Sequence, residues 1–163
     1  MQVLGIDPGT RLVGYGLIHF HQGQCKCVTY GRIRLPEKDL LSERLRVLRV
    51  ELKKLLESMQ PDFVGVESLF VHKNAMSSLK LAHARGVILS LIAERGLELR
   101  EYAPRLIKQA VVGKGQATKQ QVQFMVKSLL QLDAVPKPDA ADALAIAICC
   151  AHHVRWGFLE NIS

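Results

Sequence analysis

Residues 3–18 leave the chain few ways to begin a fold. Val3 to Ile6 is a short apolar run that stops abruptly in a carboxylate, Asp7. Pro8-Gly9 then imposes a turn, and Gly14-Tyr-Gly-Leu-Ile18 resumes a strand-like pattern. A hairpin whose first strand ends in Asp7 sets one charge at the rim of a buried sheet. Charge there is costly unless something pairs with it, so Asp7 serves either a metal or phosphate site or the start of a Pro-Gly turn. This stretch alone does not choose between the two.

The rest of the chain alternates strand and helix patterns. Cys27 to Leu35 reads as a third strand completing an antiparallel meander, closed by Pro36. From Leu41 to Met59 the apolar positions Leu41, Leu45, Leu48, Leu52, Leu55, Leu56 and Met59 keep helical spacing, and Pro61 ends that helix. Arg46, Arg49 and Lys53 beside this stripe read as a solvated face rather than a phosphate track. Phe63-Val-Gly-Val-Glu67 is a second apolar run stopping in a carboxylate. Following a helix, it is expected to lie parallel to the first strand through a crossover, which brings Asp7 and Glu67 to the same end of neighbouring strands.

The loop Ser68 to Asn74 carries Phe70, whose ring either anchors the loop in the core or stacks against a base. A helix is expected from Ala75 to Arg95, capped by Gly96. Its Leu79, Ala82, Gly86, Leu89 and Ala93, at three- and four-residue steps, would admit another backbone at close range, within the fold or across a dimer. Leu97 to Tyr102 reads as a fifth strand and Arg105 to Val112 as a short helix. Thr118-Lys-Gln-Gln121 fits a capping box opening a helix that turns Val122, Met125, Val126 and Leu129 inward. Lys108, Lys114 and Lys119 thus surround a loop at a helix N-terminus, a favourable place for a phosphate, although the glycines are too few for a P-loop. Pro138 opens the last helix. Asp139 in its first turn suits the helix dipole, but Asp142 lies in line with Ala143, Ile146 and Cys150 on the inward side. Two acids entering an apolar face together repel unless a cation sits between them. After His153 no pattern is legible, and residues 156–163 are read as a tail behind a single domain of residues 1–155.

Four carboxylates therefore share an address: Asp7, Glu67, Asp139 and Asp142. Hard oxygen ligands without His or Cys suit Mg²⁺ or Mn²⁺ rather than zinc. Two such ions roughly 3.5–4 Å apart clamp an in-line phosphoryl displacement. A net charge of +7 and a pI near 9.4 point to a polyanion, and together with the acids to a nucleic-acid phosphodiester. Aromatic content of 6% discourages base stacking across a sheet, and a neutral sugar is a poor match for four acids under a basic exterior. Cys25, Cys27, Cys149 and Cys150 lack zinc-ligand spacing and read as packing or surface thiols. No apolar stretch is long enough to span a bilayer, and Met1-Gln2 leads straight into the first strand with no room for a signal peptide, so a cytoplasmic location is expected.

Gly5-Ile-Asp7-Pro-Gly-Thr, Val66-Glu67-Ser, Gln109-Ala-Val-Val-Gly113 and Asp139-Ala-Ala-Asp142-Ala-Leu-Ala-Ile-Ala-Ile148, in this order, resemble the bacterial RuvC family of Holliday-junction resolvases. The resemblance implies a ribonuclease H-like α/β fold, a five-stranded mixed sheet flanked by helices. It implies a homodimer that grips a four-way DNA junction and nicks two opposed strands symmetrically in recombination and repair. It maps the acidic quartet, catalytic and metal-binding, onto Asp7, Glu67, Asp139 and Asp142, with Mg²⁺ as cofactor, two ions per site and Mn²⁺ able to substitute. The junction-wedging aromatic maps onto Phe70, two supportive lysines onto Lys108 and Lys119, and the RuvA–RuvB branch-migration complex is the implied partner. Two rivals remain: another ribonuclease H-like nuclease acting on RNA, and a non-catalytic junction-binding protein, against which four mutually repelling acids speak.

Overall fold

The computed structural model describes residues 1–68 and 75–160. Its elements are β1 Gln2–Asp7, β2 Leu12–His21, β3 Gln24–Arg34, α1 Leu41–Met59, β4 Phe63–Glu67, α2 Ala75–Glu94, β5 Glu98–Tyr102, α3 Pro104–Val112, α4 Lys119–Leu129 and α5 Pro138–Glu160. The five strands form one sheet in the order β3-β2-β1-β4-β5. The first three strands are an antiparallel meander, and β4 and β5 add in parallel beside β1 after crossovers through α1 and α2. The meander and the crossover to β4 are as the sequence predicts.

Helices cover both faces of this sheet. On one side α3, α4 and α5 pack over Val3, Ile18 and Phe20. On the other, α1 and α2 pack over Leu4, Ile6, Leu17, Val64 and Val66. Strand alternation sends odd-numbered residues of β1 toward α5 and even-numbered ones toward α1.

Some boundaries differ from the sequence expectation, each for a local reason. The β2–β3 turn is tight, with Gln22 and Gly23 both at positive φ (48° and 83°), so β3 starts at Gln24 rather than Cys27. A bulge opposite Leu17/Ile18 leaves Val28 unpaired and 52% exposed. In α4, Val122 and Val126 are buried as expected, but Leu129 is 41% exposed and its place inside is taken by Leu130, where the helix ends and the backbone leaves the helical register. On α2 the buried positions are Ala84, Ile88, Leu91 and Ile92. α5 continues through Glu160, across residues where the sequence offers no pattern. The four cysteines are free thiols; Cys149 and Cys150 are buried core residues, in line with the packing reading.

Candidate active site

Asp7 and Glu67 reach the site by the same device. Residues 3, 5 and 7 of β1 alternate onto the α5 side, and the parallel register Val3↔Phe63, Gly5↔Gly65 sets residues 63, 65 and 67 of β4 beside them. The two carboxylates therefore end adjacent strands at the same level and on the same face. Arg85 of α2, its side chain only 13% exposed, holds the end of β4: its Nε donates to the Glu67 carbonyl oxygen at 3.3 Å, and it pairs with Glu101 on the neighbouring strand.

The other two acids come from α5, brought down onto the sheet by missing side chains. Gly14 is the cross-strand partner of Asp7, and a Cβ at Gly14 would overlap the carbonyl of Asp139. A Cβ at Gly5 would overlap the backbone of Ala143 in the next turn. Helix backbone thus touches strand backbone, and the first turn of α5 lies over the end of β1. From Ala140 to Ala151 every residue of α5 is buried except Asp142, whose side chain keeps 32% exposure. Asp139 keeps 34%.

The electrostatics register this convergence. The Asp7 carboxyl is pushed up to about 8, first by burial and then by the charges of Asp142, Glu67 and Asp139, while Lys119 pulls it back. Asp142 is raised as well, mainly by burial; Lys119 and Lys108 oppose the shift and Asp139 adds to it. Lys119 at the head of α4 stands 3.9 Å from Asp142, so the capping box at Thr118–Gln121, present as predicted, fixes the start of the helix that delivers this cation. Lys108 on α3 acts on Asp142 from further off, whereas Lys114 is exposed on the α3–α4 loop and has no ion pair with the acids. Phe70 lies outside the described residues.

Arg32 is a site residue that sequence reasoning missed. It stands 3.8 Å from Asp139 with both groups partly buried. Its signal was the register: Arg32 on β3 pairs with Gly14 on β2, which pairs with Asp7 on β1. Arg85 was missed as well, hidden in a helix whose pattern is apolar.

Among the described residues no three His, Cys, Asp or Glu side chains close into a metal-binding cluster in this conformation. The donor set nonetheless fits a hard divalent cation: it is four oxygen acids without nitrogen or sulfur, and burial together with the charges of the other three pushes the Asp7 carboxyl up. A cation at that point would reverse the repulsion.

A five-stranded mixed sheet with acids at the ends of β1 and β4 and on a helix seated across them defines the ribonuclease H-like class of nucleases. Within it, the family model "Crossover junction endodeoxyribonuclease RuvC" matches residues 3–150. The curated protein of that name from Heliobacterium modesticaldum is 48% identical, over 96% of this chain and 98% of its own length. Thermus thermophilus RuvC, solved in complex with a Holliday junction substrate, superimposes with a TM-score of 0.90 at 31% identity, covering 96% of both chains. The yeast mitochondrial resolvase Ydc2 shares the fold, with a TM-score of 0.64 at 16% identity. The chain belongs to the RuvC family.

Proposed function

We propose that this protein is a divalent-metal-dependent endonuclease that resolves four-way DNA junctions by nicking two opposed strands. The observation that carries this is the meeting of two strand-end acids, Asp7 and Glu67, with two acids on the first turns of α5. Asp7, Glu67, Asp139 and Asp142 would hold Mg²⁺, two ions per site, with Mn²⁺ as a substitute. Bound there, the metal supplies an activated water and charge stabilisation for in-line phosphodiester hydrolysis. The protein's own cations flank this centre: Lys119 and Arg32 lie against the helix acids, Lys108 acts on Asp142, and each offers positive charge to an incoming phosphate. Lys114, exposed on the adjoining loop, reaches DNA rather than the acids. By family resemblance Phe70 wedges the junction.

Paired nicks need two active sites, hence a homodimer. The outward face of α2 supports this: Leu79 is 54% exposed, nothing lies within 4 Å of where a Gly86 Cβ would stand, and Leu79, Ala82, Gly86 and Val87 with Leu45 of α1 line a shallow apolar groove. A second copy of α2 laid across these small residues is the contact we assign. Residues 1–155 act as one nuclease domain, and no helix among the described residues is long and apolar enough to cross a membrane. Action in the cytoplasm beside the RuvA–RuvB complex follows from the family.

The test is cleavage of a labelled four-way junction with Mg²⁺, beside matched duplex, RNA–DNA hybrid and single-stranded RNA. Wild type should give paired symmetric nicks in the junction alone. Asp7→Asn should lose at least about 10³-fold in rate while keeping or tightening junction binding, since a metal ligand and a repelling charge go together. Cutting of RNA instead, or an Asp7→Asn protein as fast as wild type, would overturn the proposal.

A further inference from the structure

Beside the β1–β2 turn lies a second polar recess, lined by none of the four acids. It has a volume of about 310 Å³ and is lined by Thr10, Arg11, Glu37, Arg44, Ser77 and Lys80. Three separate elements close it: the turn supplies Thr10 and Arg11, the first turns of α1 supply Arg44, and the start of α2 supplies Ser77 and Lys80. The turn is fixed from both sides. The Leu35 N–H donates to the Arg11 carbonyl at 2.8 Å, and Gly9 has no room for a side chain against the Leu12 carbonyl.

Its charge is unbalanced in a specific way. Glu37 is taken up by Arg11, 3.4 Å away, leaving Arg44 and Lys80 without a counter-charge among the described residues. The Nε of Arg44 is buried and has no hydrogen-bond partner among the described residues, which costs free energy if nothing accepts from it. Arg44 also sits in the first turns of α1, where a cation opposes the helix dipole, and Leu40 offers that helix no side-chain cap. An anion in the recess would correct all three defects at once. The Arg44 guanidinium, the Lys80 ammonium and the Thr10 hydroxyl are donors that phosphate oxygens accept from.

We propose that this recess binds a backbone phosphate of the DNA strand being cut, and so positions that strand over Asp7. The proposal rests on the junction-nuclease function above. Thr10 is three residues from Asp7, so their Cα atoms are at most roughly 11 Å apart, a span of a few nucleotides at ~3.4 Å of rise per phosphate on one strand. Arg44 and Lys80 are binding residues: they neutralise and place the phosphate and touch no reacting atom.

Junction affinity of the full-length wild type, Arg44→Gln and Lys80→Gln would be measured in Ca²⁺ at salt concentrations from about 50 to 200 mM, with thermal unfolding of each as a control. Loss of one phosphate contact should make the slope of log K against log salt shallower by about 0.9, and lower affinity ~3–10-fold at the low-salt end. Wild-type slope and affinity in both variants would overturn the proposal. So would an affinity loss with an unchanged slope, which would indicate a distorted fold. Inorganic phosphate forms the second arm. If it raises the melting temperature of wild type but not of the variants while their junction slopes stay unchanged, the recess holds a free anion and not DNA. Should wild type fail to bind or cut junctions at all, the function itself fails, an outcome separate from any change in Arg44 or Lys80.

Discussion

The two faces of the sheet are built on opposite plans. On the α5 side the helix is buried almost all round and its backbone rests on Gly5 and Gly14, so its position is set by atoms that cannot yield. On the α1 side an amphipathic helix buries Leu48, Leu52 and Leu56 and turns outward a set of solvated ion pairs, Arg46 with Glu43, Arg49 with Glu94 and Lys54 with Glu51. Pairs this exposed add little stability. The lesson is that the acids ride on the face with no slack, where their spacing is fixed by contact between backbones. The α1–α2 face instead leaves Leu79 and Gly86 open to solvent.

Three measurements bear on that contrast. The largest effect is expected from Gly5→Val. Its branched side chain would drive into the backbone of Ala143 and Ala147 and should cost about 3 kcal/mol or more in urea unfolding, with cleavage lost as α5 lifts from the acids. A loss under about 1 kcal/mol would mean that the α5 face has slack after all.

Next in size is a pH effect on metal-free protein. An acid whose folded value is raised favours the folded state fully below its ordinary value of 3.8 and loses that contribution as pH rises toward about 8. Chelator-treated wild type should therefore lose stability between pH 5 and pH 8 relative to Asp7→Asn, by of order 2 kcal/mol, and Mg²⁺ should abolish the difference. Parallel melting curves for the two proteins across this range would mean that neither burial nor the neighbouring acids raise Asp7 in solution. The smallest change belongs to the open face. Gly86→Ala has free space around it and exchanges a poor helix former for a good one, so it should stabilise the monomer by up to about 1 kcal/mol while weakening self-association in sedimentation. Tighter association would move the dimer contact elsewhere.

What the sequence made legible follows the same division. α1 is read to the residue, Leu41–Met59, because a one-sided apolar stripe ending before Pro61 has a single solution. β4 is equally clear, and the capping box at Thr118–Gln121 is a local pattern with a local outcome. The two apolar stripes of α2 could not be told apart. The stripe at Leu79, Ala82 and Gly86 has the right spacing, yet Ala84, Ile88, Leu91 and Ile92 are the ones that pack inward. A helix apolar on most sides does not announce which side the sheet will take. Arg32 was out of reach for another reason. Its place beside Asp139 depends on the β2–β3 register, which a bulge shifts and no residue pattern marks. The four acids were legible because each stands where an apolar pattern breaks off or is interrupted.

The seating of α5 has a consequence for how the molecule comes into being. Asp7 and Glu67 lie in the first half of the chain, while Asp139 and Asp142 arrive only with a helix beginning at Pro138. A ribosome-bound or prematurely ended chain that stops short of Pro138 carries half of the acidic centre and no helix to complete it. The fold thus acts as a safety catch: the four acids meet only when the last helix drops into its glycine-lined seat.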